Sequence, residues 1–290
     1  MTKTFTTQER GSLFIIVMWW LFLLAALGVV LYGYVSSRIN VAREIRDRTI
    51  GRYAAAAGVY YAMAMLAEDE TSGYDALSES WASSPSFQNH AVGENATFNI
   101  RYETGVLDED GEPEYHYGMI DEERKINLNK ASEEVLTNLM QVVGNLDKAS
   151  AQALAASIID WRDADDDTSS FGAESSYYQR LMPPYACANE PFRSLNELML
   201  VKGMSQTLFE RLESRITVYG SGAVNINTTD SKVLECLGIN ARAARDIVRL
   251  RNGNDDKPGT GDDIVFETTG GISELLDEVG TTGTDRQSVN

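Results

Sequence analysis

Between Gly11 and Ser37 the chain carries no charged residue. Within that stretch, the apolar run Leu13–Val35 exceeds the roughly 20 residues that a helix needs to cross a bilayer core. A cleaved secretory signal has an apolar core of only about 7–15 residues and a small-residue cut site, and this run is too long and lacks that site. Beyond Arg38 the helical pattern goes on. Ile39, Ile45, Ala54, Ala57, Tyr61, Ala64 and Met65 recur at helical spacing, while Arg43, Arg46, Arg48 and Arg52 occupy other faces. The first proline is Pro85. The pattern therefore predicts one helix from about Leu13 to Ala67, on the order of 80 Å long at the α-helical rise.

The remainder of the chain reads as acidic and globular. Over its full length the protein has 43 Asp and Glu against 25 Lys and Arg, a net charge of -18 over 290 residues. Such a surface repels phosphate backbones, so no nucleic-acid partner is expected. With 43% hydrophobic residues there is enough apolar surface for a core. The only Cys and His, His90, His116, Cys187 and Cys236, are too scattered to show any zinc-ligand spacing, so any metal should be a hard, oxygen-liganded ion.

Tyr74–Trp81 reads as a short helical piece within a polar loop, and residues 97–102 alternate as a half-buried strand with Phe98, Ile100 and Tyr102 on one face. Asp108–Glu114 is a turn, with further strand at Tyr115–Asp121 and Lys125–Leu128. A small antiparallel sheet should thus have one face free to pack on the long helix. From Ile126 the period becomes helical, and a phrase repeats. Ile126-Asn127-Leu128-Asn129 and Val224-Asn225-Ile226-Asn227 each precede a capped helix with Val135-Leu136 or Val233-Leu234. Between the copies, residues 194–216 read as helix, tight Gly203 turn, helix. The three segments resemble helix-hairpin-helix units.

The densest chemistry lies between the first copy and that hairpin. Asp160, Asp163, Asp165, Asp166, Asp167 and Glu174 crowd around Arg162 as the sole base, an arrangement that costs energy unless a cation neutralises it. Asp163, Asp165, Asp167 and Glu174 fall at positions 1, 3, 5 and 12 of a calcium-loop pattern, between an incoming helix and an outgoing one at Glu174–Met182. Thr168 and Ser170 depart from the EF-hand at the turn glycine and the apolar eighth residue. Calcium is the expected cofactor, with Asp163, Asp165, Asp167 and Glu174 as ligands.

These features together resemble the K-type minor pseudopilins of type II secretion systems. The leader ends at Gly11 with Ser12 as the first mature residue, matching a prepilin-peptidase site. Ile16 replaces the usual glutamate at the fifth mature position, itself a trait of the K type. Asp121-Glu122-Glu123, Trp161-Arg162-Asp163, Gly172-Ala173-Glu174, Tyr177-Tyr178, Pro191-Phe192 and Ser194-Leu195 also have counterparts in that family. The resemblance covers roughly residues 11–250. It implies an α+β fold, with a pilin-like long N-terminal helix packed on a small antiparallel sheet and a large inserted helical domain. It divides the chain into a leader at 1–11, a transmembrane half-helix at 12–36, a pilin-like part at 37–124, the helical domain at 125–255 and a tail at 256–290. The tail offers only Asp263–Thr268 as strand and Ile272–Val279 as a short helix, where the family usually adds further pilin strands.

The resemblance further implies calcium in the helical domain, a single pass of the inner membrane and a periplasmic C-terminal domain. Counting Lys and Arg around the span would instead put that domain in the cytoplasm. The implied partners are I-type and J-type minor pseudopilins, other pseudopilus subunits, prepilin peptidase and secreted proteins. The implied role is to cap the tip of the pseudopilus and start its assembly. A subunit with Ile16 lacks the charge that pairs with the amine of the subunit ahead, which suits a place where nothing precedes it. The alternative is a membrane-anchored DNA receptor of a competence-type system, using hairpins Lys202–Ser205 and Leu237–Asn240 with Arg242, Arg245, Arg249 and Arg251. His90 and His116 are isolated from any nucleophile motif, so no catalytic constellation is expected and the chain reads as a non-enzyme. Cys187 and Cys236 either form one bridge, adding roughly 4 kcal/mol by loop entropy, or remain buried free thiols.

Overall fold

The computed structural model of the protein describes residues 9–69, 73–94, 96–107 and 110–267. Its first element is a single helix, α1 (Glu9–Ala67), of 59 residues. Gly11 and Ser12 lie in its first turn, and the apolar side chains of Leu13–Val35 are exposed along it. The helix is long and apolar enough to cross a membrane. Packing divides the chain into two compact units. Among the described residues, one holds residues 9–63 with 89–99, and the other residues 64–88 with 100–267.

In the first unit, strands β1 (His90–Val92) and β2 (Ala96–Phe98) form an antiparallel hairpin on α1. Phe98 is buried and its ring lies over Gly58, where an added Cβ would come within 3.1 Å of it. Tyr61 closes the same contact, with its ring 5.7 Å from Phe98 and 4.5 Å from His90. His90 thus serves as a packing residue of this small aromatic cluster.

The second unit has its own antiparallel hairpin, β3 (Tyr102–Leu107) with β4 (Pro113–His116). The alternating stretch therefore does not build one sheet. At Ile100 the backbone N–H turns to the Phe87 carbonyl (2.9 Å), and this bond separates the two hairpins. Residues 117–121 leave the strand as well, with Met119 donating its N–H to the Trp81 carbonyl (3.0 Å). Tyr74–Trp81 forms no helix: residues 74–76 are irregular and turns follow from Leu77 to Trp81.

The helical part begins with β5 (Ile126–Asn127), which pairs in parallel with β6 (Ile216–Thr217) and so ties the two ends of the first repeat and hairpin together. Between them run α2 (Glu133–Val142), α3 (Lys148–Arg162), the short α4 (Ser175–Tyr178) and α5 (Gln206–Leu212); α6 (Ser231–Cys236) and α7 (Ala241–Arg251) come after β6. Ser132, Asp147, Ser205, Asp230 and Asn240 cap α2, α3, α5, α6 and α7 as their sequence positions require. The expected outgoing helix after Glu174 stops after one turn, with Pro183 and Pro184 close behind. The first half of the Gly203 hairpin is a 3₁₀ turn, Leu195–Leu200. One core, including Ile126, Leu136, Leu139, Ile158, Trp161, Tyr178, Leu198 and Leu212, holds these elements. A smaller core of Leu234, Ile239, Ala244, Ile247 and Phe266 holds the second repeat.

The two Asn-rich phrases are copies in structure as well as in sequence. Asn127 Oδ1 accepts the Asn129 N–H (2.8 Å), and Asn225 Oδ1 accepts the Asn227 N–H (3.0 Å). Asn129 then grips a phenylalanine backbone, accepting from Phe192 N–H (2.7 Å) and donating to its carbonyl (3.0 Å). Asn227 grips Phe266 in the same way, at 2.9 and 3.1 Å. The arginine ending the second helix of each copy returns to the phrase. Arg162 donates to the carbonyls of Leu128 and Ala131, and Arg251 to those of Ile226 and Thr229. Residues 263–266, expected as strand, form this gripped irregular segment, with Ile264 donating to the Arg251 carbonyl (2.8 Å). The expected helix Ile272–Val279 lies outside the described residues.

Candidate metal centre

Helix α3 delivers Asp160 and Trp161 on its buried face and ends at Asp163, which is its C-cap. Asp160 and Asp163 are three residues apart and therefore neighbours on one side of the last turn. The loop then runs outward through Asp165, Asp166 and Asp167, all exposed, and returns at Gly172. Gly172 is what permits the return. A Cβ there would lie 2.0 Å from Asp160 Oδ2. Two residues on, Glu174 is carried inward to 1% exposure.

The outcome is a carboxylate cluster of Asp160, Asp163 and Glu174, with one ligand oxygen from each within 4.8 Å of the others. Asp160 Oδ1, Asp163 Oδ1 and both oxygens of Glu174 are buried and have no hydrogen-bond partner. Asn189 Oδ1 is unpartnered too, and its Nδ2 donates to the Asp165 carbonyl. A buried carboxylate without a partner is costly, and several facing one another are more so. Burial, reinforced by Asp160, Asp163 and Asp166, pushes the Glu174 carboxyl up to about 7. Burial and the charges of Asp165 and Asp160 raise Asp163 as well.

The cations near the loop are engaged elsewhere. Arg162 is spent on the Leu128 and Ala131 carbonyls. Lys202 Nζ donates to the carbonyls of Phe171 (3.1 Å) and Gly172 (2.9 Å), holding the loop from outside. Inward-facing, unpaired hard oxygens suit a hard cation bound through carboxylates.

Of the residues expected from spacing, Asp163 and Glu174 sit in this cluster. Asp165 and Asp167 do not: both are exposed, and Asp165 Oδ1 accepts the Asp167 N–H (2.9 Å). The loop folds back through Gly172 instead of wrapping as a twelve-residue EF-hand, so alternate positions do not converge. Asp160 takes their place. Its signal in the sequence was a carboxylate on the buried, Ala-rich face of α3, one turn before Asp163.

The bridge between Cys187 and Cys236 is not formed; both are buried free thiols. Cys187 points its Sγ to the Asp160 carbonyl (3.5 Å), whereas Cys236 ends α6, with its carbonyl held by Asn138 (3.1 Å). Burial pushes each thiol up to about 12.

The hairpins are used for packing. Lys202 N–H donates to the Tyr178 hydroxyl (3.2 Å), and the amides of Gly238 and Ile239 donate to the carbonyls of Glu235 (3.1 Å) and Leu234 (3.2 Å). Those amides are the donors a phosphate would need. Arg251 is buried at 6% exposure, leaving Arg242, Arg245 and Arg249 exposed on α7, with Arg242 3.7 Å from Asp246. His116 Nε2 lies 3.0 Å from the Ala82 carbonyl, another packing role.

Residues 106–221 match a family described as type II secretion system protein K. The type II secretion system protein K of Aeromonas hydrophila is 43% identical over 81 residues, 27% of this chain and 24% of that protein. A putative type II secretion system protein K of Escherichia coli K12 is 24% identical over 234 residues, 76% of this chain and 65% of that protein. The chain therefore spans less than two thirds of the length of either relative. The fold is similar to a chain in the crystal structure of the GspK-GspI-GspJ complex from the enterotoxigenic Escherichia coli type 2 secretion system. The TM-score there is 0.59 at 17% identity, over 86% of this chain and 81% of that one.

Proposed function

We propose that this chain, which matches the protein K domain at residues 106–221, is the K-type minor pseudopilin that caps a type II secretion pseudopilus and helps start its assembly. The observation that carries this reading is the pairing of that domain with an uninterrupted 59-residue N-terminal helix, apolar in its first half. Such a helix is the packing element of a pilin-like filament. With Ile16 in place of an acidic residue, the helix suits a position with no subunit ahead of it. The relative of similar fold was crystallised with I and J proteins, and we infer I-type and J-type minor pseudopilins as partners here. Other pseudopilus subunits, prepilin peptidase acting between Gly11 and Ser12, and secreted cargo belong to the same role. So do inner-membrane anchoring by α1, a periplasmic second unit and a structural rather than enzymatic task.

The carboxylate cluster supports calcium as the resident ion, held by Asp163 and Glu174 together with Asp160. Asp165 and Asp167, exposed on the rim, belong to the wider set that the spacing suggests. Co-purification of the detergent-solubilised chain with I- and J-type pseudopilins tests the assembly role. Failure to retain either partner, in calcium or in chelator, would remove the tip assignment.

A further inference from the structure

Lys202 stands at the head of the Gly203 hairpin, the turn that a nucleic-acid reading would aim at a phosphate. Its side chain turns instead to the carboxylate loop. Nζ donates to the carbonyls of Phe171 (3.1 Å) and Gly172 (2.9 Å) and lies 5.2 Å from the centroid of the Tyr177 ring. Its backbone N–H donates to the Tyr178 hydroxyl (3.2 Å). One hairpin residue thus holds the chain on both sides of Glu174. The segment so held is strained. Phe171 has a φ of +73°, in the left-handed region that a bulky side chain rarely adopts. Phe171 is also 73% exposed, so packing of its ring does little to keep it there. Within the loop, Gly172 N–H donates to the Ser169 carbonyl (3.0 Å), and Lys202 grips the same limb from a distant part of the chain. Gly172 lies against the Asp160 carboxylate, so the course of this limb decides where Glu174 meets Asp160 and Asp163.

We propose that Lys202 is a positioning residue for the cation site: it fixes the returning limb so that Glu174 faces Asp160 and Asp163 before an ion binds. The inference rests on the calcium reading above and adds the residue that sets the affinity. Ionised carboxylates that face one another repel, and without a strut the ion would have to order the loop at the expense of its own binding energy. A limb held in advance leaves more of that energy as affinity. Lys202 is also a positive charge beside the site, and its two roles have opposite signs. As a charge it repels a cation, so its removal tightens calcium binding. As a strut it preorganises the ligands, so its removal weakens calcium binding. Lys202 is only half-buried, and solvent and salt screen its charge, so the strut prevails. By linkage, a bound ion in turn holds the hairpin that carries Lys202.

The test is a calorimetric calcium titration of the full chain in detergent. Lys202→Met keeps the aliphatic stem and loses the donors, whereas Lys202→Arg keeps donors and charge. The expected result is calcium binding weaker by about tenfold in Lys202→Met, the low end for losing a residue that orients metal ligands, and largely restored in Lys202→Arg. Equal or tighter binding in Lys202→Met, with the unmodified chain binding calcium, overturns the positioning role and leaves the calcium reading standing. An unmodified chain that binds no calcium overturns both. Melting curves in chelator on the same samples separate positioning from plain stability, because a lower melting temperature with unchanged affinity also overturns the proposal. A second measurement needs no variant and so survives a Lys202→Met chain that fails to fold. Calcium should slow hydrogen exchange several-fold in the Val201–Met204 hairpin and leave the Leu237–Asn240 hairpin unchanged. Equal protection of both hairpins, or of neither, overturns the link between the ion and Lys202.

Discussion

The two repeats share a scaffold and differ in how they close it. In each, an asparagine grips a phenylalanine backbone and a helix-ending arginine ties down the carbonyls of the phrase. Each must then bring the chain from that arginine round to its phenylalanine, and both connecting loops are rich in aspartate. From Arg251 to Phe266 the connection closes on itself. Asp262 Oδ2 accepts the Asn254 N–H (2.7 Å), Asp263 Oδ2 accepts the Gly259 N–H (2.7 Å), and Asp255 Oδ1 accepts the Lys257 N–H (2.9 Å). Hydrogen bonds hold the Asp262 carboxyl below its usual range. From Arg162 to Phe192 the connection instead turns Asp160, Asp163 and Glu174 inward and leaves four of their oxygens unpartnered. The difference teaches that acidic composition does not define a cation site. What matters is whether backbone amides or other carboxylates face the carboxylates.

The largest effects should fall on the shared scaffold. Arg251→Met leaves two carbonyls of the phrase without a donor, at a cost of about 3 kcal/mol, and Arg162→Met should cost a similar amount. Urea unfolding of the full chain in detergent measures both. If the Arg162 variant is near neutral while the Arg251 variant is not, the two arginines are not equivalent.

Calcium should then separate the copies. An ion at 100 times its dissociation constant stabilises by about 2.7 kcal/mol, which for a unit of this size corresponds to a melting shift of roughly 5–10 °C. Asp160→Asn with Glu174→Gln should abolish the shift. Asp262→Asn with Asp263→Asn should lower stability while leaving the calcium shift intact. A calcium response lost in the second pair instead would assign the ion to the wrong loop.

The pH dependence is set by the direction of the Glu174 shift. A carboxyl raised from 4.5 to about 7 favours its protonated form in the folded protein, so in chelator its destabilising effect is absent below about 4.5 and grows as pH rises through about 7. Calcium requires the ionised form, so its affinity should increase over the same interval. Melting scans between pH 5 and pH 8 (roughly the interval in which the group titrates) should show the two curves diverging as pH rises. Parallel curves would refute the assignment of Glu174 as a ligand. The smallest effect belongs to the rim. Asp165→Asn or Asp167→Asn should change metal-free stability by no more than about 0.5 kcal/mol, because both side chains are exposed.

Much of this was legible in the sequence because it depends on neighbours along the chain. The uncharged stretch after Gly11 and the lack of proline before Pro85 specify α1. Ser132, Asp147 and Asn240 specify helix starts through bonds that reach only two or three residues. The paired Asn-rich phrases announced a duplication for the same reason, since each Asx turn is local.

Tertiary structure decided whatever depended on which groups meet across a loop. Spacing promoted Asp165 and Asp167, yet the return through Gly172 leaves them in solvent and brings Asp160 to Glu174. Arg162 looked like the counter-charge of the acidic run until its guanidinium proved to be spent on the Leu128 and Ala131 carbonyls, more than 30 residues away. The break at Ile100 likewise hung on the distant Phe87 carbonyl. Helix-forming and capping forces act over a few residues and leave their mark in the local sequence. The electrostatic cost of burying a carboxylate depends on everything that surrounds it, and here only the fold supplies those surroundings.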